Sequence, residues 1–230
     1  MLAIIGAMDE EVSRIKEVMT NVAIETKAGM DFYKGKLTGK DAVVVRCGIG
    51  KVNAGMCTQI LVDCYQADVI INTGIAGSLQ AKIDIGDIVL SDDTLQHDMD
   101  ATGFGYPVGV IPRMEQSVFR ADERLIVIAE NACRKVNPEI GVHVGRVVSG
   151  DQFISDKTKK NWLVENFGGY CCEMEGAAIA QAAYLNHVPF LIVRAISDKA
   201  DDSATMDYSE FEAKAITHSV NLILEIAQKL

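Results

Sequence analysis

The sequence predicts an α/β fold, one domain over residues 1–230 with a central twisted sheet flanked by helices. Short runs rich in Val and Ile recur along the chain, and each ends in Gly, Ser or Asp. They are continuously apolar instead of alternating, which is the pattern of strands covered on both faces. Helical patterns lie between several of them, and repeated strand–helix–strand order builds one central sheet.

In chain order, LAIIGA (2–7) is the first strand and residues 9–20 the helix after it. AVVVRCG (42–48) leads in the same way to a helix over 51–66. VIINTG (69–74) and DIVLSDD (87–93) are the next strands, and a hairpin through IDIGD between them stays open. Residues 98–120 have no consistent period and carry Phe104, Tyr106 and Pro112 among glycines. A loop of that length inside a compact domain serves function or a partner, so it is read as an excursion to an interface. A helix over 122–135 and the strand VGRVVSGD (144–151) follow. Residues 170–174 form a short strand if extended, and 175–186 reads helical. FLIVRAISD (190–198) is the last strand. The final helix, Tyr208 to Leu230, places Phe211, Ala215, Val220, Ile223 and Ala227 at roughly helical spacing, with Asp207 or Ser209 as its N-cap.

Composition removes several function classes. With 230 residues, 49% of them hydrophobic, the chain can bury a large core, yet its apolar runs are far too short to span a membrane. The start, MLAIIGAMDEEV, has no basic region and turns acidic, unlike a secretory signal. Six cysteines show no CxxC pair and no metal spacing, which points to a reducing cytoplasm. Four scattered histidines leave no metal site, and no cofactor is expected. The net charge is −10 without any basic block, so nucleic acid is a poor partner and a small neutral or cationic ligand a better one.

Ligands in open α/β sheets bind outside the carboxyl ends of strands. Unusual residues collect there: Met8 to Glu11, GIGK (48–51), NTGIAG (72–77), SGDQFI (149–154), SDKAD (197–201) and CCEMEG (171–176). GIGK is not a P-loop, because Val45 stands where its first glycine belongs and Val52 follows Lys51. The glycines of NTGIAGS fit a turn better than a ligand contact. Asp9 and Glu10 suit the first turn of a helix, whereas Glu11, one residue further in, can face back across the strand ends. Asp198 reads equally as a loop aspartate or a site acid. Glu173 and Glu175 flank Met174 at the head of an otherwise apolar segment, where a carboxylate can accept hydrogen bonds from a vicinal diol such as ribose.

Together GAMDEEV, GIGKVNA, INTGIAGS, VSGDQFI, CCEMEGAAIA and VRAISDKAD, in unbroken order across the chain, resemble the bacterial 5′-methylthioadenosine/S-adenosylhomocysteine nucleosidases. These belong to the purine nucleoside phosphorylase superfamily, so the resemblance implies a mixed, nucleoside phosphorylase-like sheet and an adenine nucleoside as substrate. It implies Glu11 as the base that takes a proton from water and Asp198 as the acid that protonates purine N7. Met174 and Glu175 would hold the ribose hydroxyls, Phe153 would stack on adenine and Ile154 would read its edge through the backbone. Gly77 would offer a backbone contact, and Arg194 would lie near water and ribose. Met8, Ile49 and Tyr208 would line the 5′-alkylthio pocket. Phe104, Tyr106 and Pro112 would complete the pocket of a second subunit, making a homodimer. The role of Glu173 is left open between support behind the site and direct sugar contact.

Three positions depart from the family pattern: Ile75 and Ser78 in NTGIAGS, and Tyr208 where phenylalanine is often found. The acids of GAMDEEV repel phosphate, which favours hydrolysis over phosphorolysis. A phosphorylase or hydrolase of another nucleoside, of futalosine type, is the alternative enzyme. A nucleoside-binding protein without chemistry is the alternative of another class.

Overall fold

The computed structural model describes the backbone of residues 1–230 and every side chain except those of Met206, Ser209 and Glu210. From the N-terminus run β1 (Leu2–Gly6), α1 (Asp9–Glu17), β2 (Thr20–Lys27), β3 (Met30–Leu37) and β4 (Lys40–Arg46). Next come α2 (Lys51–Tyr65), β5 (Val69–Ser78), β6 (Ile88–Gln96), β7 (Val118–Arg120) and α3 (Glu123–Val136). β8 (Val142–Ser149), α4 (Lys157–Phe167), β9 (Cys171–Glu173), α5 (Gly176–Leu185), β10 (Phe190–Asp198) and α6 (Ala204–Lys229) complete the chain.

The continuously apolar runs occupy the middle of the sheet, as their composition requires. Every residue of β1 is buried, and it runs parallel between β4 and β5, with Ile4 beside Val44 and Ile71. β10 runs parallel along the other edge of β5 and is also buried throughout. The sheet is mixed: β6 is antiparallel to β10 but parallel to β8, and β9 pairs parallel with β8 and antiparallel with β5. The strands β5, β10, β6, β8 and β9 thereby close into a ring, from which β1, β4, β3 and β2 extend as an open wing. α2 packs on α5, while α6 packs on β10, α1 and α3.

The structure corrects several expectations. No hairpin joins β5 to β6: the chain reverses through IDIGD, but β10 lies between the two strands. A hairpin does occur at β2 and β3, turned by Ala28 and Gly29 at φ 50° and 74°, the backbone that a tight two-residue turn demands. β2 has no buried residue, so it gives no apolar signal in the sequence. The end of the 98–120 excursion is strand β7, paired with β6. α6 starts at Ala204 with Ser203 as its N-cap, ahead of the expected Tyr208. Asp207 lies in the first turn, where it accepts from the Ser203 hydroxyl at 2.6 Å, and the Ser209 side chain lies outside the described residues. α4 went unread because only Leu163 and Phe167 of its residues are buried.

Candidate active site

Where β1, β9 and β10 end, and beside the C-terminal part of β5, a cavity of about 410 Å³ opens to solvent. Glu11 reaches it from the first turn of α1. Its carboxylate folds back over the helix start, accepting from the Ala7 and Met8 backbone N–H groups at 2.6 and 3.0 Å. Its other oxygen accepts from Ile75 N–H, 3.2 Å away on β5. Burial pushes this carboxyl above the ordinary glutamate range, against the opposing pull of the Arg194 charge and the backbone donors.

Asp198 is the last residue of β10, and a register shift between Ile196 and Asp198 re-aims the strand end. Oδ1 accepts from Ala200 N–H at 2.7 Å and Oδ2 from the Ser197 hydroxyl at 2.9 Å. Only 2% of the residue is exposed. Burial raises its affinity for a proton despite those two bonds. The glycines of NTGIAGS are not at a turn, which corrects the sequence expectation: both lie within β5. A Cβ on Gly77 would stand 2.7 Å from Asp198 Oδ1, and one on Gly74 would stand 2.5 Å from Glu11 Oε1. Glycine there is demanded by the close approach of two carboxylates.

Glu173 and Glu175 divide sharply. Glu173, at the end of β9, ion-pairs with Arg194 and accepts from the Ser149 hydroxyl and from the Gly176 and Glu175 N–H groups. Burial pushes its carboxyl up, but Arg194 and these donors outweigh burial and hold it below the usual range. Glu175 is the N-cap of α5 and accepts from Gly50 N–H at 2.8 Å. Burial and then the neighbouring Glu173 charge push it up to about 8. Gly50 can present that N–H because it holds φ 98°, a conformation glycine adopts freely, which gives GIGK a structural purpose.

Arg194 does not line the cavity. It lies beneath, 1% exposed, between Glu173 and Asn72, and its charge faces Glu11 as well. Met8, Ile49, Gly77, Phe153, Ile154, Met174 and Tyr208 all line the cavity, as the resemblance implies. The Phe153 and Tyr208 rings meet edge to face with centroids 6.1 Å apart. The Tyr208 hydroxyl, the added group at this position, donates to Glu212 at 2.9 Å and lies 3.5 Å from Met8 Sδ. Phe104, Tyr106 and Pro112 stand apart from this chain's cavity, and Phe104 is 88% exposed.

Sequence reasoning missed the frame behind the site. Lys51 Nζ binds Asp98 at 2.6 Å and Gln96 at 2.9 Å, while its backbone N–H donates to Asp151 at 2.8 Å, tying the loops after β4, β6 and β8 together. Asn72, Ser149 and Ser197 support Arg194, Glu173 and Asp198 respectively. A polar residue inside or ending an apolar strand run is the signal that could have found them. Among the described residues, no group of three or more His, Cys, Asp or Glu side chains could hold a metal ion.

A family model described as the phosphorylase superfamily matches residues 1–228. The 5′-methylthioadenosine/S-adenosylhomocysteine nucleosidase of Shewanella halifaxensis is 40% identical over 230 residues, covering 100% of this chain and 99% of that protein. This chain belongs to that nucleosidase family. The Neisseria meningitidis nucleosidase, solved in complex with methylthio-immucillin-A, matches with a TM-score of 0.95 at 37% identity, over 100% of this chain and 99% of that one. A futalosine hydrolase of Helicobacter pylori also matches, at TM-score 0.94 and 30% identity, over 100% and 97% of the two chains. The mixed sheet with flanking helices is therefore the nucleoside phosphorylase-like fold that the nucleosidase motifs imply.

Proposed function

We propose that this chain, as one nucleosidase domain over residues 1–230, hydrolyses the N-glycosidic bond of 5′-methylthioadenosine and S-adenosylhomocysteine. The products are adenine and 5-methylthioribose or S-ribosylhomocysteine. The observation that carries the reading is the lining of the cavity: Glu11 and Asp198, both buried carboxyls with raised proton affinity, share it, and no Lys or Arg lines it among the described residues. Phosphate would find no cation there, since Arg194 is beneath the floor and paired to Glu173. Water meets no such barrier.

In the proposed reaction Asp198 donates its proton to adenine N7 as the bond to ribose breaks and its electrons pass to the base. Protonation makes adenine a neutral leaving group, and burial, by raising the proton affinity of Asp198, favours the protonated form that this step needs. The ribose gains cation character, and water adds to its anomeric carbon while giving a proton to Glu11. A base with a raised pKa takes that proton more readily, provided the working pH leaves it ionised. Glu175 is placed to hold the ribose hydroxyls, exchanging its bond to Gly50 N–H for them, with Met174 beside it. Phe153 stacks on adenine and Ile154 reads its edge. Glu173 holds Arg194 and the start of α5 instead of touching sugar.

The exposed Phe104 and its separation from this chain's cavity support a homodimer in which residues 98–120 complete the partner's pocket. Six free cysteines suit a cytoplasmic setting, and no described helix is long and apolar enough to cross a membrane. The deciding experiment is adenine release from 5′-methylthioadenosine in phosphate-free buffer and again with phosphate. Equal release with free methylthioribose supports the nucleosidase. Release that needs phosphate means a phosphorylase, and release only from a futalosine-type nucleoside selects the other hydrolase. Binding without release would mean a nucleoside-binding protein.

A further inference from the structure

A second crevice lies against the cavity. It has a volume of about 290 Å³, shares Ala7, Met8 and Ile49 with the cavity and runs on between Asp9, Glu10, Arg46 and Gly48. It lies where β1 and β4 end side by side, with Gly6 opposite Arg46. Met8 and Ile49 are the residues placed around a 5′-thio group, so the crevice begins where a short 5′ substituent stops. Its walls then change from apolar to charged, and they carry both signs.

These charges do not exhaust one another. Arg46 Nε lies 3.3 Å from Asp9 Oδ1, and Asp9 also lies 3.9 Å from Lys16 Nζ. Among the described residues, the terminal nitrogens of Arg46 and the carboxylate of Glu10 have no hydrogen-bond or ion-pair partner. A methylthio group offers such side chains nothing. An α-amino acid offers a carboxylate and an ammonium on one carbon, complementary to a guanidinium and an unpaired carboxylate lining the same crevice. A guanidinium can grip a carboxylate through two parallel N–H bonds, and both terminal nitrogens of Arg46 are available to do so.

Building on the proposed nucleosidase activity, we infer that this crevice receives a zwitterionic amino-acid tail carried on the 5′ sulfur, with Arg46 binding its carboxylate and Glu10 its ammonium. Nucleosides of the S-adenosylhomocysteine kind then use the whole surface, and alkylthio nucleosides use only the inner part. Neither Arg46 nor Glu10 takes part in bond cleavage, so the crevice sets selectivity without setting the rate of chemistry.

The test measures kcat/KM of the full chain for 5′-methylthioadenosine, S-adenosylhomocysteine and its decarboxylated analogue 5′-(3-aminopropylthio)adenosine. Arg46→Gln should lower the value for S-adenosylhomocysteine about three- to tenfold, the scale of a half-exposed charge-assisted hydrogen bond. The same change should leave 5′-methylthioadenosine unaltered and erase the wild-type preference for S-adenosylhomocysteine over the decarboxylated analogue. Glu10→Gln should weaken both amine-bearing substrates and spare 5′-methylthioadenosine. Equal losses on all three substrates would assign Arg46 to holding the strand end and overturn the proposal. So would S-adenosylhomocysteine turnover indifferent to both substitutions. Wild-type turnover of 5′-methylthioadenosine separates the two levels: with it intact, such results sink the crevice alone, and without it the nucleosidase reading falls first.

Discussion

Gly74 and Glu11 are packed so closely that a Cβ on the glycine would stand 2.5 Å from Glu11 Oε1, with Arg194 Nη1 at 3.0 Å on the same side. A strand residue without a side chain is what lets the carboxylate sit over β5 and accept from Ile75 N–H. Gly74→Ala must therefore displace Glu11. A displacement of about 1 Å at a reacting group can cost about 10²-fold in rate, so kcat should fall on that scale. Overpacking of this kind costs about 1–3 kcal/mol, and the variant should still fold. Steady-state kinetics beside a thermal melt checks both, and wild-type kcat in a folded variant would remove Glu11 from the chemistry.

Glu11 and Asp198 should fail differently. Asp198→Asn keeps the shape and loses the proton, and a general acid contributes about 10²- to 10⁴-fold. Glu11→Gln should end hydrolysis while adenine still binds, because the base reads water and not the purine. Adenine titration and single-turnover hydrolysis separate these outcomes. Lost adenine binding in Glu11→Gln would assign that residue a structural task.

Glu175 makes a prediction about stability and pH. Its folded pKa is raised to about 8, from an ordinary value of 4.5. Between those values the folded chain keeps a proton that the unfolded chain has released, so this group costs the protein stability as pH rises through that window. Below it, both states are protonated and the cost disappears. Glu175→Gln removes the titration. The Tm of the variant should gain on that of the wild type steadily from pH 5 to pH 8, while affinity for the ribose falls. A Tm difference that stays constant over this range would contradict the raised pKa.

How much of this could be read in advance depended on the range of the interactions. LAIIG of β1 and FLIVRAISD of β10 announced themselves because burial on both faces leaves a continuous apolar run. β2 stayed silent because all its residues are at least partly exposed. In the site, the motif resemblance supplied Glu11 and Asp198, but nothing local could. Glu11 is defined by Ile75, 64 positions away, and by the charge of Arg194. Gly74 and Gly77 resemble turn residues in the sequence for the same reason: the atoms that forbid their Cβ come from α1, β10 and the residues just after it. Glu173 and Glu175, two residues apart, separate only once Arg194 arrives from β10 to claim the first of them.

That claim is itself testable. Arg194 and Glu173 form a buried pair, with side chains only 2% and 3% exposed. Glu173→Gln leaves the guanidinium charge buried without its counter-charge, which costs about 3–5 kcal/mol where one partner of such a pair is removed. A large drop in Tm is expected. Removing both charges, as Glu173→Gln with Arg194→Met, should recover part of it, because the stranded charge is then gone. Additive losses in the double variant would show that the two side chains act independently.

The exposed ring of Phe104 bears on the assembly. Apolar side chains left in solvent carry no benefit for a lone chain, and Phe104 sits on a loop turned by Gly105 at φ 83° with 88% of its surface free. Ile49, at the cavity mouth, is also more than half exposed, so the 5′ end of the pocket lacks an apolar cover within this chain. If the partner's Phe104 supplies it, Phe104→Ala should raise KM for alkylthio nucleosides by roughly tenfold, from the loss of about 1.5 kcal/mol of buried aromatic contact. Adenine alone should bind as before, since the residues proposed to hold it, Phe153 and Ile154, belong to the same chain as the cavity. Sedimentation should show a dimer for the wild type. A monomer with an unchanged KM in the variant would leave each pocket complete in its own chain.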